Sequence, residues 1–239
     1  MTHELLNSPG DHAYARGAAI FTEAAQGFGI PVDENQTQEW TVLLCATHDL
    51  DTILDSDLPE ADRGARLDDI VSDVLSETSP NIIDGECDPN CAFCQLKVMA
   101  SDWTDEKKTS LLSIAMHAKE IAIVRRETKR ADQLGKLAVF EGRITAGLFS
   151  LNSSRNTEKI TEYNQWLANL LAAGTAFDTS VDLPRDFSSG LTKVEPTIAN
   201  RAKVLSVGVP PLTLALKAMK PKMVRPLLGA ARAVVNDKL

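Results

Sequence analysis

Two pairs of aspartates carry the strongest chemical signal in this chain: Asp51 with Asp55, and Asp178 with Asp182. Residues four apart on a helix share a face, roughly 6 Å from one another. Two like charges so placed destabilise a helix by roughly 0.2–0.5 kcal/mol. A Lys or Arg, solvent or a divalent cation must offset them. Magnesium prefers oxygen ligands and often joins carboxylates to substrate phosphates. Two facing pairs would hold such ions around one diphosphate, neutralise it as it leaves and pull on the carbon–oxygen bond. Apolar residues lead into both pairs, Leu43, Leu44 and Ala46 into the first and Leu170, Leu171, Ala172 and Ala173 into the second. An apolar cavity ending in carboxylates suits a hydrocarbon diphosphate. The plainer reading of either pair alone is a solvated helix face.

A second constellation is Cys87, Cys91 and Cys94, in C-x3-C-x2-C spacing. Thiolates this close on a loop can converge on zinc or an iron–sulfur cluster. Only three ligands are local, so a fourth would come from Cys45, His48 or His117. Free or redox-active thiols, or an incidental loop, are the competing readings.

The elements that must position these residues read as helices. A loose tail over 1–10 precedes a helix from about 11 to 26, and Gly27-Phe28-Gly29-Ile30-Pro31 stops it. Apolar periodicity predicts helices over about 34–57, 63–77, 104–129, 132–151 and 157–184. The stretch 78–104, with Pro80, Gly85, Pro89 and the cysteines, reads as a loop or small insertion. After the Ser188-Ser189-Gly190 turn come one or two helices, punctuated by Pro210, Pro211 and Pro221. The expected architecture is all-α, a single helical domain over 11–239 carrying a cysteine-containing loop.

Composition agrees. The 239 residues suffice for one well-filled core. Aromatics make up only 5%, and alanine- and leucine-rich stretches dominate over β-branched alternation. The net charge of −8 is uneven: from Lys193 to Leu239, nine Lys/Arg face two Asp/Glu, a net of +7, which leaves −15 on the first 192 residues. The acidic bulk argues against a nucleic-acid partner. The basic end suits an anionic lipid surface, a diphosphate or a solvated face. The start of the chain has no apolar signal region, and no run reaches transmembrane length. The expected location is the cytoplasm, with peripheral membrane contact within reach, and a disulfide scaffold is not expected there.

The strings around both pairs resemble the squalene/phytoene synthase family, within the class I isoprenoid synthase fold. The first is Leu50-Asp51-Thr52-Ile53-Leu54-Asp55-Ser56-Asp57. The second runs from Leu170 through Phe177-Asp178-Thr179-Ser180-Val181-Asp182 to Arg185-Asp186 and Gly190. Between them Ile144-Thr145-Ala146-Gly147-Leu148-Phe149 is similar to the family's cavity-lining helix, and the 127-residue step from Asp51 to Asp178 fits its order. The likeness covers roughly residues 40–215. Thr175 stands where the family carries Asn, and its N-terminal Ser-rich motif has no clear counterpart here.

The resemblance implies a magnesium-dependent prenyltransferase or terpene synthase that ionises a prenyl diphosphate for condensation or cyclisation. It assigns magnesium to Asp51, Asp55, Asp178 and Asp182, with Asp57 a weaker candidate. Arg125, Arg126, Arg130 and Arg185 would bind the diphosphate, because a guanidinium offers directed donors. Arg185 ranks first by its place after the second pair. Thr145, Gly147 and Phe149 would shape the hydrocarbon cavity. A homodimer is compatible with this reading. The alternative is a non-catalytic helical protein that binds a lipid or a protein partner.

Overall fold

The computed structural model describes residues 9–56, 58–76, 91–151 and 157–224, with side chains from residue 15 onward except at 222. The regular elements among them are all helical. They are α1 (Pro9–Gly27), α2 (Glu34–Asp55), α3 (Glu60–Leu75), α4 (Ala92–Ala100), α5 (Asp105–Glu127), α6 (Ala131–Thr145), α7 (Thr157–Ser188) and α8 (Ile198–Ala218). A 3-10 turn, Ala146–Phe149, continues α6, and another spans Pro221–Met223. No described helix is long and apolar enough to cross a membrane. Of the expected loose tail over 1–10, residues 1–8 lie outside the described residues, as do Asp57 and Cys87, while residues 9 and 10 already belong to α1.

Local chemistry sets several boundaries. The Asp33 carboxylate accepts from the Gln36 amide at 2.8 Å and caps α2. Thr197 does the same for α8, accepting from the Asn200 amide at 3.1 Å. At the far end of α7, Gly190 has φ +71°, a conformation that side-chain-bearing residues rarely adopt. Leu191 N donates to Asp186 O at 2.8 Å and Gly190 N to Phe187 O at 3.2 Å, the paired bonds of a Schellman stop.

Three elements differ from the sequence expectation. Within the segment expected to be a cysteine-bearing loop, residues 92–100 form α4. They contain no Gly or Pro, and Ala92, Leu96 and Ala100 make a buried stripe at helical spacing. The second difference is that α7 continues through Pro184 to Ser188. Proline has no N–H, so the Ser180 carbonyl loses its helical donor. The Arg201 Nε of α8 supplies the replacement at 3.0 Å, and the Ser180 hydroxyl donates back to Arg201 O at 3.0 Å. Thirdly, α8 runs through Pro210 and Pro211. It is held by Val204, Gly208, Pro211 and Ala215, its buried stripe.

The chain divides into two compact units. Of the described residues, one takes in α1, α2 through Ile53, α3 from Ala65, α4, the start of α5 through Lys108, and residues 220–224. Its core includes Trp40, packed edge-on against Phe21 with ring centroids 6.0 Å apart. The other holds residues 54–64 and 109–219. There α6, α7 and α8 pack on one another. Ala138, Val139, Ala172 and Ala176 form one apolar cluster, and Leu134, Leu183, Val194 and Val204 belong to another. Gly142 lets α6 touch the α7 backbone: a Cβ there would lie 2.5 Å from Leu171 O. Small residues thus bring α7 close to its neighbours and set where Asp178 and Asp182 stand.

Candidate functional site

Both aspartate pairs lie on helices, Asp51 and Asp55 in the last turns of α2 and Asp178 and Asp182 in the second half of α7. Asp51 and Asp178 are exposed, while Asp55 and Asp182 are half-buried. The two half-buried members act on one group. Arg185 reaches Asp182 at 3.1 Å and Asp186 at 3.2 Å. Partial burial pulls the Arg185 pKa down, but Asp182, Asp186 and Asp55 outweigh it, and the guanidinium is held above its ordinary value. Arg185 is thus ion-paired with Asp182 and Asp186, and Asp55 of the first pair adds the weakest of the attractions that act on it.

Asp186 is the innermost carboxylate, with its side chain 1% exposed, and the Arg125 Nη2 of α5 donates to it at 2.8 Å. A buried carboxylate needs such a partner, because desolvation otherwise costs several kcal/mol, on the order of the interaction it gains. In the sequence Asp186 stands within the second motif without an assigned role. Its available signal was an acid between Leu183 and Phe187 one turn beyond Asp182. Its partner lies 61 residues away, which no local pattern could expose.

Arg126 has a different task. Its Nη2 donates to Leu54 O at 2.9 Å, and Arg63 Nη1 donates to Ser56 O at 3.2 Å. The two guanidiniums close the carbonyl end of α2, beside Asp55. This matters because α2 has no basic residue in its last turn and carries its acids at the negative end of the helix dipole.

The other candidates are dispersed. Arg130 is exposed and pairs with Asp132 at 2.8 Å. Thr145 is half-buried, Gly147 exposed and Phe149 buried. Cys91 is a free, half-buried thiol at the N-cap of α4. Cys94 is disulfide-bonded, and in that state its sulfur is no thiolate ligand for zinc or iron. Among the described residues no three or more His, Cys, Asp or Glu are grouped as a metal-holding set. Comparison with protein-family models, with curated proteins and with solved structures finds no match for this chain. What stands among the described residues is an all-helical arrangement with a carboxylate–guanidinium cluster of Asp182, Asp186, Arg125 and Arg185 on α5 and α7, next to which Arg126 caps the end of α2.

Proposed function

We propose that the chain is a magnesium-dependent enzyme acting on a prenyl diphosphate, similar to squalene/phytoene synthases in its two aspartate motifs. The observation that supports this reading is that Asp55 and Asp182, one from each pair, bear on the same Arg185. Carboxylate oxygens are the donors magnesium takes, and one or two of them with substrate phosphates make its usual site. A cage of three protein carboxylates is not required. Asp51, Asp55, Asp178 and Asp182 would hold the ions, which when bound neutralise charge on the leaving diphosphate.

The chain's own residues do the rest. Arg185, with its side chain 65% exposed, turns from Asp182 to the diphosphate and offers it a forked pair of donors. Arg125 and Arg126, with Arg130 further along, supply positive charge, and the first two also fix Asp186 and the end of α2. The reaction is condensation or cyclisation of the ionised prenyl group.

A second reading, a non-catalytic helical protein binding lipid or protein, is favoured by one fact: Arg185 and Arg125 already neutralise the cluster around Asp186. Purified protein with magnesium and prenyl diphosphates separates the two. The enzyme reading expects diphosphate release that Asp178→Asn slows by more than about tenfold. Equal release by parent and variant, or none from the parent, sinks it. A melting shift with magnesium and a non-hydrolysable prenyl diphosphate, without turnover, supports the second reading.

A further inference from the structure

The cysteines are the one motif that the carboxylate–guanidinium cluster leaves unused. Cys91 is the N-cap of α4. Its backbone is extended, with φ −68° and ψ 128°, and its side chain makes no capping bond. Its carbonyl accepts the first helical bond, from Gln95 N at 3.1 Å. Cys94 follows within the first turn of the same helix. Positions three apart on a helix share a side, with Cα atoms about 5 Å from one another. A disulfide spans roughly 4.4–6.8 Å between Cα atoms, so this pair is within bonding reach. The buried stripe of α4 is Ala92, Leu96 and Ala100, and helical spacing sets both cysteines on the side turned away from it. Both are half-buried, neither sealed into the core. They differ in state: Cys91 is a free thiol and Cys94 is already disulfide-bonded.

We infer that Cys91 and Cys94 are a thiol–disulfide exchange pair, in which the Cys91 thiol displaces the sulfur now bonded to Cys94. The Cys91 Sγ gives up its proton and attacks the Cys94 Sγ. The Cys91–Cys94 bond forms as the existing bond of Cys94 breaks. The displaced sulfur leaves with the electron pair and takes up a proton, so the step is redox-neutral and needs no outside oxidant. During the attack negative charge sits at the start of α4, where the helix dipole is positive and the first turn holds no acidic residue. The closed Cys91–Cys94 disulfide is in turn a substrate for a small thiol such as glutathione. Two glutathiones reduce it to two thiols and leave as glutathione disulfide. A metal-holding role would need Cys94 as a thiolate, whereas its bonded state beside a free thiol is the starting point of exchange. The inference uses no residue of the carboxylate–guanidinium cluster, so it stands or falls apart from the diphosphate reading.

The test is cysteine mapping of the full chain, purified without reductant and held at about pH 8, where thiolates form. Free thiols are blocked with N-ethylmaleimide. The remaining cysteines are then reduced, blocked with iodoacetamide and located by fragmentation mass spectrometry. Cys91 is expected to carry the maleimide in only part of the chains, the sulfur released by Cys94 carrying it in the rest. Maleimide on Cys91 in every chain overturns the inference. A second measurement isolates the pair: Cys45→Ser with Cys87→Ser removes the other two cysteines. After reduction, glutathione disulfide should abolish both remaining thiols and leave no glutathione on the protein, because the second cysteine resolves the mixed disulfide from one turn away. Thiols that persist, or glutathione retained as the end product, overturn the inference as well.

Discussion

The bond from Arg201 to the Ser180 carbonyl should be worth most while Pro184 is present. Ser180 is buried, and Arg201 Nε donates to its carbonyl at 3.0 Å in place of the missing proline N–H. A hydrogen bond from a charged donor contributes about 1.5–3 kcal/mol, and a buried carbonyl left without a donor costs a similar amount. Arg201→Ala should therefore destabilise the chain by about 2 kcal/mol. Pro184→Ala restores the backbone N–H and the ordinary i→i−4 bond. In that background Arg201→Ala should cost under about 1 kcal/mol, because the carbonyl keeps a donor. The expected coupling is about 1–1.5 kcal/mol. Proline's separate effects on helix propensity and on the unfolded chain cancel in the double-mutant cycle. Urea unfolding of the four proteins measures it, with the fluorescence of buried Trp166 on α7 reporting that helix. A coupling below about 0.5 kcal/mol, the level at which independent sites add, would refute the repair of α7 by α8.

Three further outcomes follow from the geometry. Arg125→Met strips the 1%-exposed Asp186 side chain of its 2.8 Å partner and should cost about 3 kcal/mol, whereas Arg185→Met, on a side chain 65% exposed, should cost under about 1 kcal/mol; equal losses in chemical denaturation contradict the placement of Asp186. Gly142→Ala sets a Cβ 2.5 Å from Leu171 O and should destabilise by about 1–3 kcal/mol, read as a lowered unfolding midpoint. The hydrogen bond from Lys193 and its charge hold the Glu127 carboxyl below its ordinary pKa of 4.5. Because the folded value is the depressed one, the pair stabilises above the unfolded-chain value and loses its effect as pH falls through the folded one. Carboxyl NMR titration should show the Glu127 midpoint rising in Lys193→Ala, and an unchanged midpoint removes that cause.

Helix identity was legible because the apolar residues of α2, α5, α6 and α7 recur at helical spacing along the chain itself. The i,i+4 relation within each aspartate pair followed directly from it. Proline was the misleading signal. It marks a helix end when its freed carbonyl has no other donor, and at Pro184 the donor comes from Arg201, seventeen residues further on. The cysteines misled similarly: turn-forming residues before Cys91 drew attention from the Ala92–Ala100 stripe. In the site, charge type was readable and pairing was not. Arg125 and Arg126 were adjacent candidates for one ligand, yet one faces the Asp186 carboxylate and the other the α2 carbonyls.

The closing of α2 by Arg126 also bears on how the chain assembles. The contact joins Leu54 to a residue 72 positions later. Until α5 has formed and docked, the Leu54 carbonyl lacks the Arg126 donor and only the nearby Arg63 can reach the end of α2, so the last turn frays more readily. Asp55 therefore reaches its place late, by a long-range closure and not by local helix growth. Amides in the last turn of α2 should gain exchange protection together with those of α5, behind the earlier turns of their own helix.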